Sequence, residues 1–305
     1  MSDPGERGTL VVTGATAGFG LEALRMVVGQ IEQSVIVGAR DPSNIPADIA
    51  LKVTVLPLDL ARLQSVATFC AEVMQRGPID GLILNAGLSP RRLQKTEDGF
   101  DRAFQVNYLS HFAMIQRLWD VLEPDAHIVM TGSGTHDPEE KTPPPPPNHA
   151  NALRLAYPET DPERDRIGPR AAARSYTTSK LCCIMASLEL ARRRPDGLSV
   201  AYDPGLVPGT RLTREFPQWL VRILLPIMSR TMPADRTSTL SASANAFAYL
   251  MAGRSLIGQN GDYVAMRGGY PVVVNPSKMA RDQHLSGQLW SSSEALLAEC
   301  PAWME

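Results

Sequence analysis

Apolar runs rich in β-branched residues alternate along the chain with longer segments of helical periodicity. The runs that predict strands are Thr9–Thr13, Ser34–Gly38, Lys52–Leu56, Gly81–Asn85, His127–Thr131 and Ser199–Asp203. They are almost continuously apolar, which is expected of parallel strands that helices cover on both faces. The pattern therefore predicts an α/β fold built on a doubly wound parallel sheet of about seven strands.

Two segments interrupt this alternation. Residues 136–170 carry the prolines Pro143–Pro147 and the charged run Glu163–Arg166, which is typical of an irregular surface loop. Residues 205–235 follow the last of these strands, and helical spacing of their apolar positions predicts an amphipathic lid helix. Those positions are Phe216, Trp219, Leu220, Ile223, Leu224 and Ile227. We expect a single domain over residues 1–305, with both insertions near its site.

Charge and composition narrow the function classes. The 305 residues include 30 basic and 32 acidic side chains, so no field steers a polyanion and we expect no nucleic-acid partner. The four cysteines and five histidines show no metal-ligand spacing, so we expect reduced thiols and no metal. The apolar stretch Trp219–Met228 is shorter than the ~20 residues that span a bilayer, and residues 1–8 lack a signal-peptide pattern. We expect a cytoplasmic protein without an integral membrane span.

A glycine-rich turn joins the first predicted strand to a helix predicted over Leu21–Gln30. The turn, GATAGFG, supplies the candidate cofactor residues Gly14, Thr16, Gly18, Phe19 and Gly20. Glycines let the backbone approach a pyrophosphate, and the helix N-terminus presents free N–H groups and a partial positive charge to it. Strand, glycine turn and helix in this order predict a dinucleotide site of the Rossmann fold.

The end of the second predicted strand discriminates between the two nicotinamide dinucleotides. An acidic residue at this place would bind the free ribose 2′-hydroxyl of NAD. The chain has Arg40 there, whose guanidinium can pair with the 2′-phosphate of NADP. We therefore expect NADP(H) as the cofactor. The alternative interpretation is a solvated arginine paired with Asp41.

Several short motifs occur along the chain from Thr13 to Gly205. They are Thr13-Gly14-x-x-x-Gly18-x-Gly20, Asp59-Leu60, Asn85-Ala86-Gly87, Asn107, Ser133, Tyr176-x-x-x-Lys180 and Pro204-Gly205. With these motifs the chain resembles the short-chain dehydrogenase/reductase family over roughly residues 8–270. Beyond the glycine turn and Arg40, the cofactor residues that the resemblance implies are Asp59, Leu60, Asn85, Ala86, Gly87, Tyr176, Lys180, Pro204, Gly205, Val207 and Thr210. Asp59 and Leu60 are implied near the adenine, and Pro204 and Gly205 beside the nicotinamide.

Tyr176 and Lys180 form the candidate catalytic pair. They are four residues apart in a helical pattern, so their side chains project from one helix face. A free tyrosine titrates near ~10, and a neighbouring ammonium favours the phenolate, so we expect Lys180 to lower the pKa of Tyr176. An exposed helix pair is the alternative.

The resemblance implies the remaining catalytic roles. Ser133 would hold the substrate oxygen while Tyr176 transfers the proton, and Asn107 would kink a helix and support a proton relay. Thr131 and Thr135 are the alternatives to Ser133 for this role. For Asn107 the alternative interpretation is a surface amide. His136, just past Ser133, either faces the pocket or caps a loop.

Together these features predict an NADP(H)-dependent oxidoreductase that interconverts a carbonyl and an alcohol on a bulky, mostly apolar small molecule. The long insertion and the stretch Pro204–Thr210 are most similar to retinol-dehydrogenase-like enzymes and protochlorophyllide reductases. Leu206 stands where the photoreductases carry cysteine, which favours a light-independent reductase. The alternatives are a C=C reductase of the protochlorophyllide-reductase type, a non-catalytic NADP-sensing protein, and peripheral membrane attachment through the lid. The resemblance also implies a homodimer or homotetramer.

Overall fold

One sheet organises the part of the chain that the structure, a computed structural model, describes: residues 8–166, 168–207, 234–253 and 259–304. Its strands are β1 (Thr9–Thr13), β2 (Ser34–Ala39), β3 (Thr54–Pro57), β4 (Ile79–Leu84), β5 (Leu122–Thr131), β6 (Leu198–Asp203), β7 (Tyr263–Arg267) and β8 (Tyr270–Val273). They lie in the order β3-β2-β1-β4-β5-β6-β7-β8. Every neighbouring pair from β3 to β7 is parallel, and β8 pairs antiparallel with β7. The predicted parallel α/β sheet is confirmed.

The predicted strands occur with shifted ends. The third begins at Thr54 rather than at Lys52, and the fourth and fifth begin earlier than predicted, at Ile79 and Leu122. Asp80 and Asp125 lie in these early segments and interrupt the apolar runs. Backbone pairing continues through such polar positions, because a strand end can carry exposed side chains while its N–H and C=O groups stay in the ladder.

The described part of the sheet has eight strands, against about seven predicted, and two of them, β7 and β8, are not among the six runs that the sequence located. β8 is a short edge strand of only four residues that contains Pro271, and its Tyr270 is 75% exposed. Gly268 and Gly269 connect it to β7 with φ angles of 57° and 82°, a conformation that favours glycine at a hairpin turn.

The helices follow the strands in alternation. They are α1 (Gly18–Val27), α2 (Ala47–Ala50), α3 (Leu63–Met74), α4 (Arg102–Phe104), α5 (Ser110–Leu118), α6 (Ala152–Ala156), α7 (Gly168–Arg193), α8 (Leu240–Met251), α9 (Gln283–Ala298) and α10 (Pro301–Met304). A π-helical segment, Gln105–Leu109, joins α4 to α5 without a break. α1 begins at Gly18 and not at Leu21, because the last residues of the glycine turn already form its first turn.

Two apolar layers cover the faces of the sheet. Val11 of β1 packs into a layer shared with α3, α5, α7 and α9, whereas its neighbours Leu10 and Val12 pack into a layer shared with α1 and α8. Successive side chains of a strand point to opposite faces, so a strand that is apolar throughout needs helices on both sides. The doubly wound arrangement confirms this requirement.

The proline-rich insertion lies against the beginning of α7. The Thr177 hydroxyl donates to the carbonyl of Pro145 over 2.7 Å. Arg174 donates to the carbonyl of Pro146 and, over 2.7 Å, to Oδ1 of Asn148. The segment is irregular apart from short helices, as its composition predicted, and side chains of α7 hold it in place.

The predicted lid helix lies outside the described residues. Its apolar positions, from Phe216 to Ile227, and the candidate cofactor residue Thr210 all fall within residues 208–233. Among the residues that the structure does describe, no helix combines the length and apolarity needed to cross a membrane.

Candidate active site

A cavity of about 320 Å³ lies at the carboxyl ends of the parallel strands. Gly14, Arg40, Asn85 and Pro204, which directly follow β1, β2, β4 and β6, all line it. Predicted site residues in its wall are Gly14, Thr16, Gly18, Phe19, Gly20, Arg40, Asp59, Leu60, Asn85, Ala86, Gly87, Ser133, Tyr176, Lys180, Pro204, Gly205 and Val207. Ligands bind at this edge of open α/β sheets because the strand-to-loop turns converge there.

The glycine turn fits a closely approaching phosphate. Gly14 has φ 72°, and a Cβ on it would lie 2.5 Å from the amide nitrogen of Ala86. A Cβ on Gly20 would lie 2.4 Å from the carbonyl oxygen of Gly14. No side-chain hydrogen bond caps the N-terminus of α1, and its first residues, Gly18, Phe19 and Gly20, line the cavity. An uncapped helix N-terminus can bind an anion through its first N–H groups. These features suit the pyrophosphate of a dinucleotide.

Arg40 is exposed at the end of β2 and lines the same cavity. The carboxylate of Asp41 turns to Ser43 instead, accepting from its backbone nitrogen over 3.0 Å and from its hydroxyl over 2.7 Å. The hydrogen bonds with Ser43 lower the pKa of Asp41, and the charge of Arg40 makes a smaller contribution in the same direction. Among the described residues, Asp41 therefore forms no ion pair with Arg40, whose side chain lines the cavity.

A chain of hydrogen bonds connects the glycine turn to α7. Asn85 donates from Nδ2 to the carbonyl of Gly14 over 2.9 Å and accepts at Oδ1 from the Thr131 hydroxyl, also over 2.9 Å. Lys180 Nζ donates to the carbonyl of Thr131 over 2.8 Å. Thr131, which the sequence offered as an alternative to Ser133 for holding the substrate oxygen, therefore supports Asn85 and Lys180 instead.

Tyr176, Lys180 and Ser133 meet in the cavity wall. Tyr176 is 7% and Lys180 4% exposed. Burial raises the pKa of Tyr176, since a phenolate loses its hydration there, while a hydrogen bond with Ser133 lowers it. Burial likewise lowers the pKa of Lys180.

This electrostatic balance differs from the sequence-based expectation. Lys180 was expected to lower the pKa of Tyr176, yet desolvation dominates and the pKa is raised. The ammonium group donates to the Thr131 carbonyl, and the group that lowers the pKa of the phenol is the Ser133 hydroxyl.

Asn107 lies behind the cavity, within the π-helical segment, and is 1% exposed, so it is not a surface amide. Its Oδ1 accepts from the backbone nitrogen of Leu88 over 2.8 Å. Its Nδ2 donates to the Leu88 carbonyl over 3.0 Å and to the Ser179 hydroxyl over 2.8 Å. A Cβ on Gly87 would lie 3.3 Å from Asn107 Oδ1 and 3.5 Å from Lys180 Nζ, so the three residues are close neighbours.

The turn after β5 fixes the direction of the Ser133 hydroxyl. Ser133 Oγ accepts from the backbone nitrogen of Thr135 over 3.3 Å and from its hydroxyl over 3.1 Å. With two donors on its oxygen, Ser133 keeps its own proton free for Tyr176 or a substrate. Thr135 therefore supports Ser133 rather than replacing it.

His136 caps this turn. Its Nδ1 donates to the Ser133 carbonyl over 2.7 Å, and its Nε2 accepts from the backbone nitrogen of Ser277 over 3.0 Å. The described residues that line the cavity do not include His136. The structure thus supports loop capping over a place in the pocket.

Asp203 is a cavity residue that the sequence analysis missed as a site residue. It is 4% exposed, and its Oδ2 accepts from the Gly134 nitrogen over 2.9 Å and the Tyr263 hydroxyl over 3.1 Å. Arg267 Nη1 lies 3.8 Å from the same oxygen. The negative charge of Asp203 raises the pKa of Tyr176. Its signal in the sequence was a carboxylate at a strand end, directly before Pro204.

Within the described ranges, no group of three or more histidine, cysteine or acidic side chains could hold a metal ion. Cys70, Cys182, Cys183 and Cys300 are free and buried.

Known proteins are similar to this chain in sequence and in fold. The short chain dehydrogenase family model matches residues 8–140. A WW domain-containing oxidoreductase of Drosophila melanogaster is 30% identical, over 95% of this chain and 68% of that protein. A polyprenol dehydrogenase of Mus musculus is 29% identical, over 92% of this chain and 81% of that protein. The crystal structure of an uncharacterized protein from Mycobacterium paratuberculosis superposes with a TM-score of 0.69 at 25% identity, covering 95% of this chain and 92% of that one.

Proposed function

Because this chain belongs to the short-chain dehydrogenase family, we propose that it is an NADP(H)-dependent oxidoreductase that interconverts a carbonyl and an alcohol by hydride transfer. The observation that carries the proposal is the meeting of Tyr176, Lys180 and Ser133 in one cavity with the glycine turn. The crowded approach at Gly14 and the uncapped start of α1 fit a pyrophosphate. When bound, the nicotinamide supplies or accepts the hydride.

The protein residues handle the proton. In the direction of reduction, the Tyr176 phenol donates its proton to the substrate oxygen, and the raised pKa keeps that proton on the phenol at neutral pH. The Ser133 hydroxyl, oriented by Thr135, donates a hydrogen bond to the same oxygen. The Ser133 hydroxyl also stabilises the phenolate that forms as the proton leaves, and Lys180 lies in the same cavity wall, bonded to the Thr131 carbonyl.

Substitution of the catalytic pair tests this assignment. Tyr176→Phe removes the transferable proton and is expected to lower kcat by about a hundredfold or more. Lys180→Ala is expected to have a comparable effect. NADPH absorbance with a panel of ketones, aldehydes and secondary alcohols measures both, and the exposed Tyr249→Phe is the matched control. Near-normal turnover by folded Tyr176→Phe would refute the mechanism.

The preference for NADP(H) rests on Arg40. Arg40→Ala is expected to weaken NADPH binding by about tenfold to a hundredfold, because charge-assisted hydrogen bonds to the 2′-phosphate are lost, and to leave NADH binding nearly unchanged. Arg91→Ala, at another exposed arginine outside the cavity wall, serves as the control. Titration of nicotinamide fluorescence reports both affinities. Tighter binding of NADH than of NADPH by the unsubstituted protein would overturn the preference.

A bulky, mostly apolar substrate is part of the proposal. Leu88, Val106, Leu206 and Val207 contribute apolar wall to the cavity that holds Tyr176. The mouse relative is named for a polyprenol, which is an alcohol of this class. Leu206 in that wall favours chemistry without light, since the photoreductases carry cysteine there. Longer apolar alcohols in the substrate panel should therefore give lower KM values than short ones.

We also propose a single domain over residues 1–305, a cytoplasmic location and a homodimer or homotetramer. The free, buried cysteines are consistent with a reducing compartment. The family membership supports self-association. Light scattering after size-exclusion chromatography measures the oligomeric state.

A further inference from the structure

His111 lies one helical turn after Asn107 and is 1% exposed. Its Nδ1 is 3.0 Å from the Asn107 carbonyl oxygen, and its Nε2 is 3.1 Å from the Thr13 hydroxyl. A carbonyl can only accept, so Nδ1 carries the ring proton. In the neutral ring Nε2 is then an acceptor. The Thr13 hydroxyl has one proton and two acceptors within reach, His111 Nε2 at 3.1 Å and the Ile83 carbonyl at 3.3 Å, and Nε2 is the nearer of the two.

The environment of Thr13 requires that neutral form. Its Oγ1 accepts from the backbone nitrogens of Asn85 over 3.0 Å and Ala86 over 3.1 Å, which occupy both lone pairs. A protonated His111 would add a third donor to the same oxygen and displace one of the amides. Burial lowers the pKa of His111 to about 4, so the ring is neutral at physiological pH.

On its other side, His111 is connected to the catalytic helix. The Asn107 carbonyl also accepts from the Cys183 thiol over 3.2 Å, and the Asn107 amide donates to Ser179 over 2.8 Å. Ser179 in turn donates to the carbonyl of Tyr176 over 2.7 Å. One continuous set of hydrogen bonds therefore runs from the cofactor cradle at Asn85 and Ala86 to the backbone of Tyr176.

We propose that His111 is a positioning residue that holds the cofactor cradle and the catalytic helix at a fixed separation, through Thr13 on one side and Asn107 on the other. This inference rests on the proposed function of the cavity. His111 touches no reacting atom; its effect is on the alignment of Tyr176 with a bound nicotinamide. A small misalignment of reacting groups can cost as much as about a hundredfold in rate.

Two substitutions separate the hydrogen bonds from the volume of the ring. His111→Phe keeps a buried ring and removes both bonds, whereas His111→Gln retains one donor and one acceptor. His111→Phe is expected to lower kcat at saturating NADPH by about tenfold to a hundredfold and to raise the Kd for NADPH by several fold. His111→Gln is expected to restore most of both. Turnover and a fluorescence titration with NADPH give these values independently.

His127 provides the matched control. It is 6% exposed, its Nε2 bonds to the Met251 carbonyl over 2.8 Å, and it is absent from the cavity wall. His127→Phe should lower the melting temperature without changing kcat or the Kd for NADPH. If His111→Phe behaves in the same way, losing only thermal stability, the proposal is overturned.

A second variant tests the proposal in the event that His111→Phe does not fold. Thr13→Val removes the hydroxyl that bonds to His111 Nε2, and its kcat at saturating NADPH should fall; an unchanged kcat in that variant contradicts the proposal. Failure of the proposed function is distinguishable, because the unsubstituted protein would then show neither NADPH binding nor turnover. Normal turnover by the unsubstituted protein, with unchanged His111 and Thr13 variants, would refute the positioning role alone.

Discussion

At Tyr176, burial and hydrogen bonding act on the phenol in opposite directions. Loss of hydration raises its pKa, the Ser133 hydrogen bond lowers it, and the charge of Asp203 raises it further. The phenol is therefore a proton donor across the physiological range, while the reverse reaction needs the phenolate. Under the proposed function, this asymmetry favours reduction at neutral pH and oxidation at alkaline pH.

Asp203→Asn should move the pH dependence of alcohol oxidation. Removing a negative charge beside the phenol favours the phenolate, so the pKa of Tyr176 falls, and the rise of kcat/KM with pH should shift to lower pH. Profiles between neutral and strongly alkaline pH measure the shift. The exposed Asp196→Asn is the control. A profile that stays in place would show that Asp203 does not act on Tyr176.

Gly14 offers a test of the phosphate cradle. In Gly14→Ala the new Cβ would lie 2.5 Å from the Ala86 nitrogen, at a φ of 72°, so we expect the Kd for NADPH to rise by about tenfold or more. Gly29→Ala is the matched control, since Gly29 has a φ of 91° but nothing within 4 Å of its Cβ. Both variants carry the strain of a positive φ, about 1 kcal/mol. Equal Kd values in the two would show that crowding at Gly14 is unimportant.

Among the structural elements, the contact between the proline-rich insertion and α7 has the most direct consequence for the site. Arg174 lies two residues before Tyr176 and reaches the Pro146 carbonyl, Asn148 and, over 2.5 Å, Asp165. The ion pair is mostly buried, so its hydrogen bonds are not weakened by solvent as exposed pairs are. The insertion is thus anchored beside Tyr176.

Arg174→Leu should release this anchor. We expect faster tryptic cleavage after Arg164 and Arg166, a raised KM for substrate, and an unchanged Kd for NADPH, because the cofactor cradle lies on other elements. Time-resolved proteolysis and steady-state kinetics measure these effects. Arg170→Leu is the control, since Arg170 also pairs with Asp165 but is 57% exposed. The same proteolysis rate in both variants would argue against the anchor.

The whole molecule carries three histidines whose pKa values burial lowers: His111, His127 and His136. In the unfolded chain a histidine titrates near ~6.5. Below that pH the unfolded chain binds protons at these histidines and the folded chain does not, so the free energy of unfolding decreases as pH falls.

Melting temperatures between neutral pH and about pH 5 should reveal this dependence. Stability should be nearly level above about 6.5 and fall below it, by at most ~1.4 kcal/mol per pH unit for each histidine. His127→Phe should make the slope shallower, because one of the groups no longer titrates. A slope unchanged by that substitution would exclude His127 as a source of the acid sensitivity.

Particular residues show how much of the site could be predicted from the sequence. The spacing of Tyr176 and Lys180 predicted a shared helix face, and the structure places both in one cavity wall. Neither Asp203 nor His111 could be assigned a role, because their partners lie far along the chain: Gly134 is 69 residues from Asp203, and Thr13 is 98 residues from His111. Such contacts have no local pattern.

The sequence by itself determined the parallel sheet, the glycine turn at its edge and the order of the site residues. These follow from local rules: side-chain periodicity, the conformational freedom of glycine and the i, i+4 geometry of a helix. Only the tertiary structure decided the antiparallel edge strand, the direction in which the pKa of Tyr176 moves and the Thr131 carbonyl as the partner of Lys180. Burial and hydrogen bonding between distant segments set these properties, and both exist only once the sheet has brought the strand ends together.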